Sequence, residues 1–464
     1  MTDSVRCDPD RMDDLASTLR RTGDHARVLA GRVTEAQILA ALPGGSVPRL
    51  RAVEDTAHQA GIVVAARARF AAAFTIEPRM AMWLDDRLAA GEVDDELAVP
   101  LDALARQRVA DARAQLRAAG GRGKGRPTGD DIRSLLAGLT ASQLDALVGA
   151  LTDAEVRAVF HRLRRGSKHG GLSRSDRFAL YADLGERVAR PTWRRLGSLE
   201  SEIEPPLATV VARLPKVAVG GRPTTWQVRD LQGPVALGGP GDAAPFDADD
   251  LRQGYLGDCY LLSVVQSLAA QHPEALAPLF RRNPNGTVTV KVANGARAVV
   301  DPSFVVESNG PGAPMTVQHT AESDAGSSFE IWGQVLEKAW AILHGGYGKI
   351  WSGNPGETLV ELVGGSVTQR DADGFGADEL ARRLAAGEIL TVLTSPDADD
   401  PRLESHHAYR LVAVDPVHRV VTLENPWDAG GSAPFTIPLD DLVRASNVID
   451  ANRLPTSGDE SWRR

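Results

Sequence analysis

The chain reads as an α+β protein, an all-α N-terminal region followed by a mixed core, and three observations predict that division. Apolar positions recur by threes and fours through roughly the first 213 residues, the spacing of helices with one buried face. Prolines and glycines then crowd together: Pro215, Gly220-Gly221, Pro223, Gly233-Pro234 and Gly238-Gly239-Pro240-Gly241. Beyond them, short β-prone runs bounded by turn residues alternate with apolar helical stretches. At 464 residues the chain has room for two or three domains.

From Asp10 to Leu42 the positions Met12, Leu15, Leu19, Thr22, Ala26, Leu29, Val33, Ala36 and Ala40 keep one seam. Pro43-Gly44-Gly45 breaks it, and Ser46-Val47-Pro48 opens a second helix running to about Phe74. Residues 1–76 are therefore expected to form a helical hairpin. Residues 77–214 read as further helices, with Met80, Trp83, Leu84 and Leu88 on one face and Leu101, Leu104, Val109 and Leu116 on another. Residues 120–129, with alternating glycines, Lys124 and Arg126, follow a helix and lack a Lys-Ser or Lys-Thr pair, so they read as a basic linker and not a phosphate loop. Thr140 with Gln143 and Thr152 with Glu155 each have the spacing of a capping box, so a helix should begin after each threonine. The cluster Arg162, Arg164, Arg165, Lys168 and His169 reads as a solvated helix end. Residues 215–244 are expected to be a linker. Residues 245–345 should be helical around Cys259, with a small β element at 287–292 and 298–300. Residues 346–455 should be mainly antiparallel sheet, through 390–393, the segments after His407 and before Asn425, and 435–437.

Composition narrows the function classes. Net charge is −9 and the pI near 5.7, which argues against nucleic-acid binding because phosphate contacts need excess lysine and arginine. No apolar run approaches the length of a membrane span, and the N-terminus has no signal-peptide core. A cytoplasmic location is the default expectation, with leaderless secretion left open. The two cysteines, Cys7 and Cys259, read as free thiols.

The stretch that carries chemistry is Gln253-Gly254-Tyr255-Leu256-Gly257-Asp258-Cys259. It is polar and turn-prone up to Cys259 and then becomes an apolar run with helical spacing, so the thiol should sit on the first turn of a buried helix. Unpaired amides and the positive end of the macrodipole favour a thiolate there. Gln253 offers a side-chain N–H that could meet an oxyanion beside the Cys259 backbone N–H. A base is available far downstream. His407 opens a strand, Asp415-Pro416 is a turn signal, and the next strand ends in Asn425-Pro426-Trp427. His407 and Asn425 each lie nine residues from Pro416, so a hairpin folded there would set them roughly opposite each other. His406 and His407 face opposite sides of a strand, so only one can point at Cys259. The separations from Cys259, 148 residues to His407 and 166 to Asn425, lie near the ~130–150 of papain-like enzymes.

These segments resemble the calpain family: Gln253 to Leu262 its active-site signature, His407-Ala408-Tyr409 its histidine motif, and Asn425-Pro426-Trp427 its asparagine motif. Residues 332–346, with Leu336-Glu337-Lys338-Ala339-Trp340, and the pairs Gly345-Gly346 and Gly364-Gly365 resemble its helix and glycine-rich junction. The resemblance covers roughly 245–450. It implies a two-lobed, papain-like cysteine endopeptidase with a helical lobe at 245–345 and a β lobe at 346–455. Cys259 is then the nucleophile, His407 the base, Asn425 its orienter and Gln253 the oxyanion donor. Trp427 would shield the His407–Asn425 contact, and Gly257 and Asp258 would support the turn. Substrates would be proteins or peptides. The chemistry requires no cofactor, no metal ligand can be assigned, and calcium is a candidate activator. Asp371-Ala372-Asp373-Gly374-Phe375-Gly376 starts like an EF-hand but puts Phe375 and Arg382 where oxygen ligands belong. The acids 247, 249 and 250, and 397, 399 and 400, read as solvated loops. His319, His344 and His418 read as surface or loop histidines. The first hairpin is loosely similar to the helical proteins exported by type VII secretion, with Leu42-Pro43-Gly44-Gly45 where that family carries Trp-x-Gly. Residues 10–75 could direct export, dock a helical partner or self-associate. The reading from another class is a silenced protease fold whose helices bind partners.

Overall fold

The computed structural model describes residues 95–120, 126–205, 218–219, 222–223, 226–230, 246–248, 251–307, 331–427 and 434–455. The expected hairpin of residues 1–76 and most of the 215–244 linker lie outside them. The chain divides into two compact units, residues 1–127 with 131–152, and residues 128–130 with 153–464.

In the first unit, α1 (Asp95–Gly120) precedes α2 (Gly129–Ala137), whose start belongs to the second unit, and α3 (Ala141–Ala150). The α3 start follows the capping-box reading. Thr140 accepts from the Gln143 N–H while Gln143 accepts from the Thr140 N–H, satisfying two otherwise orphaned donors.

The second unit begins with α4 (Asp153–Arg164), α5 (Arg174–Arg187) and α6 (Arg190–Leu199). Short strands β1 (Ala218–Val219), β2 (Arg222–Pro223) and β3 (Trp226–Asp230) follow, and then α7 (Cys259–Gln271). The strands β4 (Phe280–Arg282), β5 (Val288–Lys291) and β6 (Arg297–Val300) form one antiparallel sheet, while β7 (Ser303–Glu307) pairs with β3. After α8 (Trp332–His344) and α9 (Pro355–Val363) come β8 (Ser366–Asp371), α10 (Ala377–Ala385), β9 (Ile389–Thr394), β10 (Ala408–Asp415), β11 (Val420–Glu424), β12 (Phe435–Pro438), α11 (Leu439–Ala445) and β13 (Ser446–Arg453). Six of these strands make an antiparallel sheet in the order β12-β11-β10-β9-β13-β8.

Two hydrophobic cores result. One gathers α7, α8 and α9 with the β4-β5-β6 sheet, and the other lies on the six-stranded sheet beneath α10 and α11. Helix α7 is buried almost all round, as its apolar sequence requires. Of its interior polar groups, Gln266 Nε2 donates to the Leu251 carbonyl at 3.0 Å and Ser267 to the Ser263 carbonyl at 2.7 Å. Trp332, fully buried, packs edge-on to Phe246.

Helices α5 and α6 brace the first core from outside. Asn285 donates to the carbonyls of Gly185 and Val188, and a Cβ on Gly185 would come within 2.8 Å of Val299. Buried Asp301 receives Arg190 and Arg194, and Lys338 of α8 reaches Glu204 at 2.7 Å. The basic cluster after α4 is partly engaged as well, Arg162 capping the His169 carbonyl and Arg164 pairing with Glu200.

Trp332→Ala should lower the unfolding free energy by about 3–5 kcal/mol, read as an earlier urea midpoint. A change below about 1 kcal/mol would contradict the packing described.

Candidate active site

Cys259 is the first residue of α7, with Asp258 at the N-cap position. The thiol is 8% exposed. Burial pushes it up to about 11, opposed by the Ala408 backbone N–H beside it. Burial therefore works against the thiolate expected from the helix terminus.

His407 immediately precedes β10 and is buried, whereas His406 is exposed with φ 53. The left-handed turn at His406 directs one histidine outward and the next inward. The His407 N–H donates to Thr394 Oγ1 at 2.9 Å and its carbonyl accepts the Thr394 N–H at 2.9 Å, anchoring it to β9. Its Nε2 lies 2.8 Å from Asn425 Oδ1, and the same oxygen accepts the Trp427 N–H at 3.0 Å. A backbone N–H can only donate, so the Asn425 atom at that junction is the oxygen. Nε2 must then carry the imidazole proton, which leaves Nδ1 as the basic nitrogen.

The register differs in detail from the simple hairpin. Arg410 pairs with Glu424, and a bulge between Leu411 and Ala413 shifts the ladder. Continued outward, that register sets His407 opposite Trp427, two residues beyond Asn425. The side chains still meet because Asn425 reaches back along the strand. Trp427 lies against the imidazole with ring centroids 4.4 Å apart, and Tyr409 meets it edge-on at 5.0 Å.

Gln253 is placed in the same neighbourhood, but its amide is occupied. Its Nε2 donates to the Leu256 carbonyl at 2.6 Å, and its buried Oε1 has no partner among the described residues. Its backbone N–H donates to the Pro426 carbonyl at 2.8 Å. Gly257 is required by close approach, since a Cβ there would sit 2.8 Å from the Trp351 carbonyl oxygen.

Sequence reasoning missed three residues. Arg252 Nε donates to the Trp427 carbonyl at 2.8 Å, so residues 252 and 253 both hold the loop that carries Asn425. Arg410 of β10 pairs with Glu424 and donates to the Gln266 carbonyl of α7 at 3.1 Å. Glu337 of α8 is a buried carboxyl within the core. A polar residue inside an apolar helical run was the available signal for Glu337. His344 ends α8, partly buried, with Nδ1 at the Trp340 carbonyl and Nε2 near Glu361, so it is a helix-end contact rather than a loop residue.

Among the described residues no group of three or more His, Cys, Asp or Glu could hold a metal. Asp400 is committed to Arg402, which holds its carboxyl down near about 2.

Residues 243–433 match the model of the calpain family cysteine protease. They form a calpain-family cysteine protease core. The calpain-type cysteine protease ADL1 of rice (Oryza sativa subsp. japonica) is 30% identical over 206 residues, 39% of this chain and 9% of that protein. The Arabidopsis thaliana protease DEK1 is 32% identical over 210 residues, covering 40% and 9%. Human calpain-14 is 29% identical over 198 residues, covering 38% and 28%. The chain therefore spans under a third of the length of these relatives, and the family match includes Cys259, His407 and Asn425. No described helix is long and apolar enough to cross a membrane.

With Cys7 replaced by Ser, alkylation of Cys259 by iodoacetamide should be slow near neutrality and rise about tenfold per pH unit toward about 11. A fast rate already constant in mildly acidic buffer would show that the resting thiol is ionised.

Proposed function

We propose that residues 245–455 act as a two-lobed cysteine endopeptidase that cleaves protein or peptide substrates through Cys259, His407 and Asn425. The observation that carries this reading is the double bond set at Asn425 Oδ1. It fixes the imidazole proton on Nε2 and leaves Nδ1 as a base, while Ala408, the next residue, touches the Cys259 thiol.

In this mechanism His407 Nδ1 takes the thiol proton as Sγ attacks the scissile carbonyl carbon. The oxyanion that forms meets the Cys259 backbone N–H and the Gln253 amide once that amide leaves the Leu256 carbonyl. Nδ1–H then protonates the departing amine as the C–N bond breaks, leaving a thioester. Water, losing a proton to Nδ1, attacks that thioester and releases Sγ with the proton returned. Burial, which raises the thiol, favours a proton transfer that accompanies attack. Asn425 holds the imidazolium in place throughout, and Trp427 limits water access to the Nε2–Oδ1 bond. No step uses calcium.

One observation favours a second reading. The buried thiol and the occupied Gln253 amide describe a resting state that an inactive protease-fold binding protein would also show. Titration with an epoxide warhead separates the two, because only the enzyme is consumed stoichiometrically at Cys259.

Cys259→Ala should abolish both cleavage of unfolded casein and epoxide labelling; cleavage that persists rejects the assignment. Asn425→Ala should retain labelling capacity but lower kcat by up to about 10⁴-fold through the wrong tautomer. An unchanged kcat would remove Asn425 from the mechanism.

A further inference from the structure

Strand β13 carries two polar side chains on a face of the sheet that is buried. Ile449 and Ala451 join the core beneath α10 and α11. Asp450 and Asn452, one position out of phase, point to the opposite face, where they are 1% and 0% exposed. Polar groups so buried are costly unless they are bonded, and both of these reach the same residue. Asp450 Oδ2 accepts the Gly356 N–H at 3.0 Å, and Asn452 Nδ2 donates to the Gly356 carbonyl at 2.8 Å. The backbone of α9 comes so close there that a Cβ on Gly356 would sit 2.6 Å from Val367 and 2.8 Å from Asp450.

Gly356 lies in the first turn of α9, where the neighbouring donors are met locally. Pro355 has no N–H. Asn354 takes the Glu357 N–H on its side chain at 2.8 Å and the Thr358 N–H on its carbonyl at 3.0 Å. The Gly356 N–H is met instead from a strand 94 residues downstream, by an acceptor set against the positive end of the helix. Gln369 of β8 steadies the other Asp450 oxygen, its Nε2 donating at 2.9 Å.

The loop that leads into α9 brings this grip to the site. The Trp351 carbonyl lies against Gly257, and Gly353 lies against the Tyr260 ring with no room for a Cβ, so residues 351–353 run along the turn that carries Cys259. Tyr260 is held in turn by Trp340 of α8, whose Nε1 donates to its hydroxyl at 3.1 Å. At the other end β13 pairs with β9, Ser446 opposite Thr394, and Thr394 is the residue that anchors His407.

We propose that Asp450 and Asn452 are positioning residues: by gripping Gly356 through both its N–H and its carbonyl, they tie the 351–353 loop, and with it the first turn of α7, to the sheet that holds His407. The catalytic consequence rests on the protease reading, whereas the grip itself does not. Without the grip the loop is free to withdraw from Gly257, and a misplacement of about 1 Å at a reacting group can cost about 10²-fold in rate. The bond needs an acceptor at position 450 and not a charge. Asp450→Asn keeps that acceptor, because the exposed Gln369 can turn its amide to meet the new donor, whereas Asp450→Ala removes it.

The test uses the full chain, with active sites counted by stoichiometric epoxide labelling and hydrogen exchange followed in peptides that span residues 351–359. Asp450→Ala should lower kcat for casein per labelled site by about tenfold or more with KM little changed, and should speed exchange in that segment. Asp450→Asn should restore both. A merely structural role would lower the melting temperature and the number of labelled sites but leave kcat per site unchanged. Wild-type kcat per site in Asp450→Ala, or an equal loss in Asp450→Asn, overturns the proposal. If Asp450→Ala does not fold, Asn452→Ala removes the other half of the grip: lowered kcat per site with faster exchange supports the proposal, and unchanged values overturn it. A wild type silent toward casein and epoxide sinks the protease reading instead, while exchange of residues 351–359 in the alanine and asparagine variants still decides the grip.

Discussion

The candidate site depends on one junction, where the first turn of α7 meets the start of β10. Cys259 arrives there from a helix buried on nearly every face, and His407 from a strand anchored by Thr394. Neither element can move independently: Arg410 ties β10 to the Gln266 carbonyl, and Gln253 and Arg252 tie the approach to α7 to the Asn425 loop. Cys259 and His407 are thus positioned by the hydrogen bonds of the elements that carry them.

That arrangement has an electrostatic consequence. A helix N-terminus favours an anion by at most a few kcal/mol, whereas complete burial can shift an ionisable group by several pH units. At Cys259 burial prevails, and the net charge beside it, on Asp258, has the wrong sign to help. The imidazole is the group that can change this balance, because the Asn425 oxygen holds its proton at Nε2 and leaves Nδ1 as the basic nitrogen.

The helices before the core also take part. The unit that contains the site comprises residues 128–130 and 153–464, and within it α5 and the residue after it supply carbonyl acceptors to Asn285 while α6 supplies arginines to buried Asp301. Asp301 and Ser303 in turn hold Lys338 through their carbonyls, one residue from Glu337. Side chains on α6 thereby reach the helix that faces the catalytic turn, through a chain of buried charges that no single segment could satisfy alone.

Much of this was legible in the residues themselves. Cys259 at a polar-to-apolar switch, the histidine and asparagine flanking a turn signal, and the Thr140 capping box are local patterns, and each is set by backbone chemistry within a few residues. What tertiary structure decided was long-range. The turn that pairs Asp415 with Val420 and so carries His407 past Asn425, the Leu256 carbonyl that occupies Gln253 and the Arg252 bond to Trp427 join residues whose spacing carries no periodic signal. The strands β8 and β13 were missed for the same reason, since pairing partners about eighty residues apart leave no trace in either segment alone. The sequence by itself determined which side chains could do the chemistry, because their types and local spacing are fixed along the chain. Only the fold decided which proton each one holds, because protonation depends on burial and on neighbours brought in from distant segments.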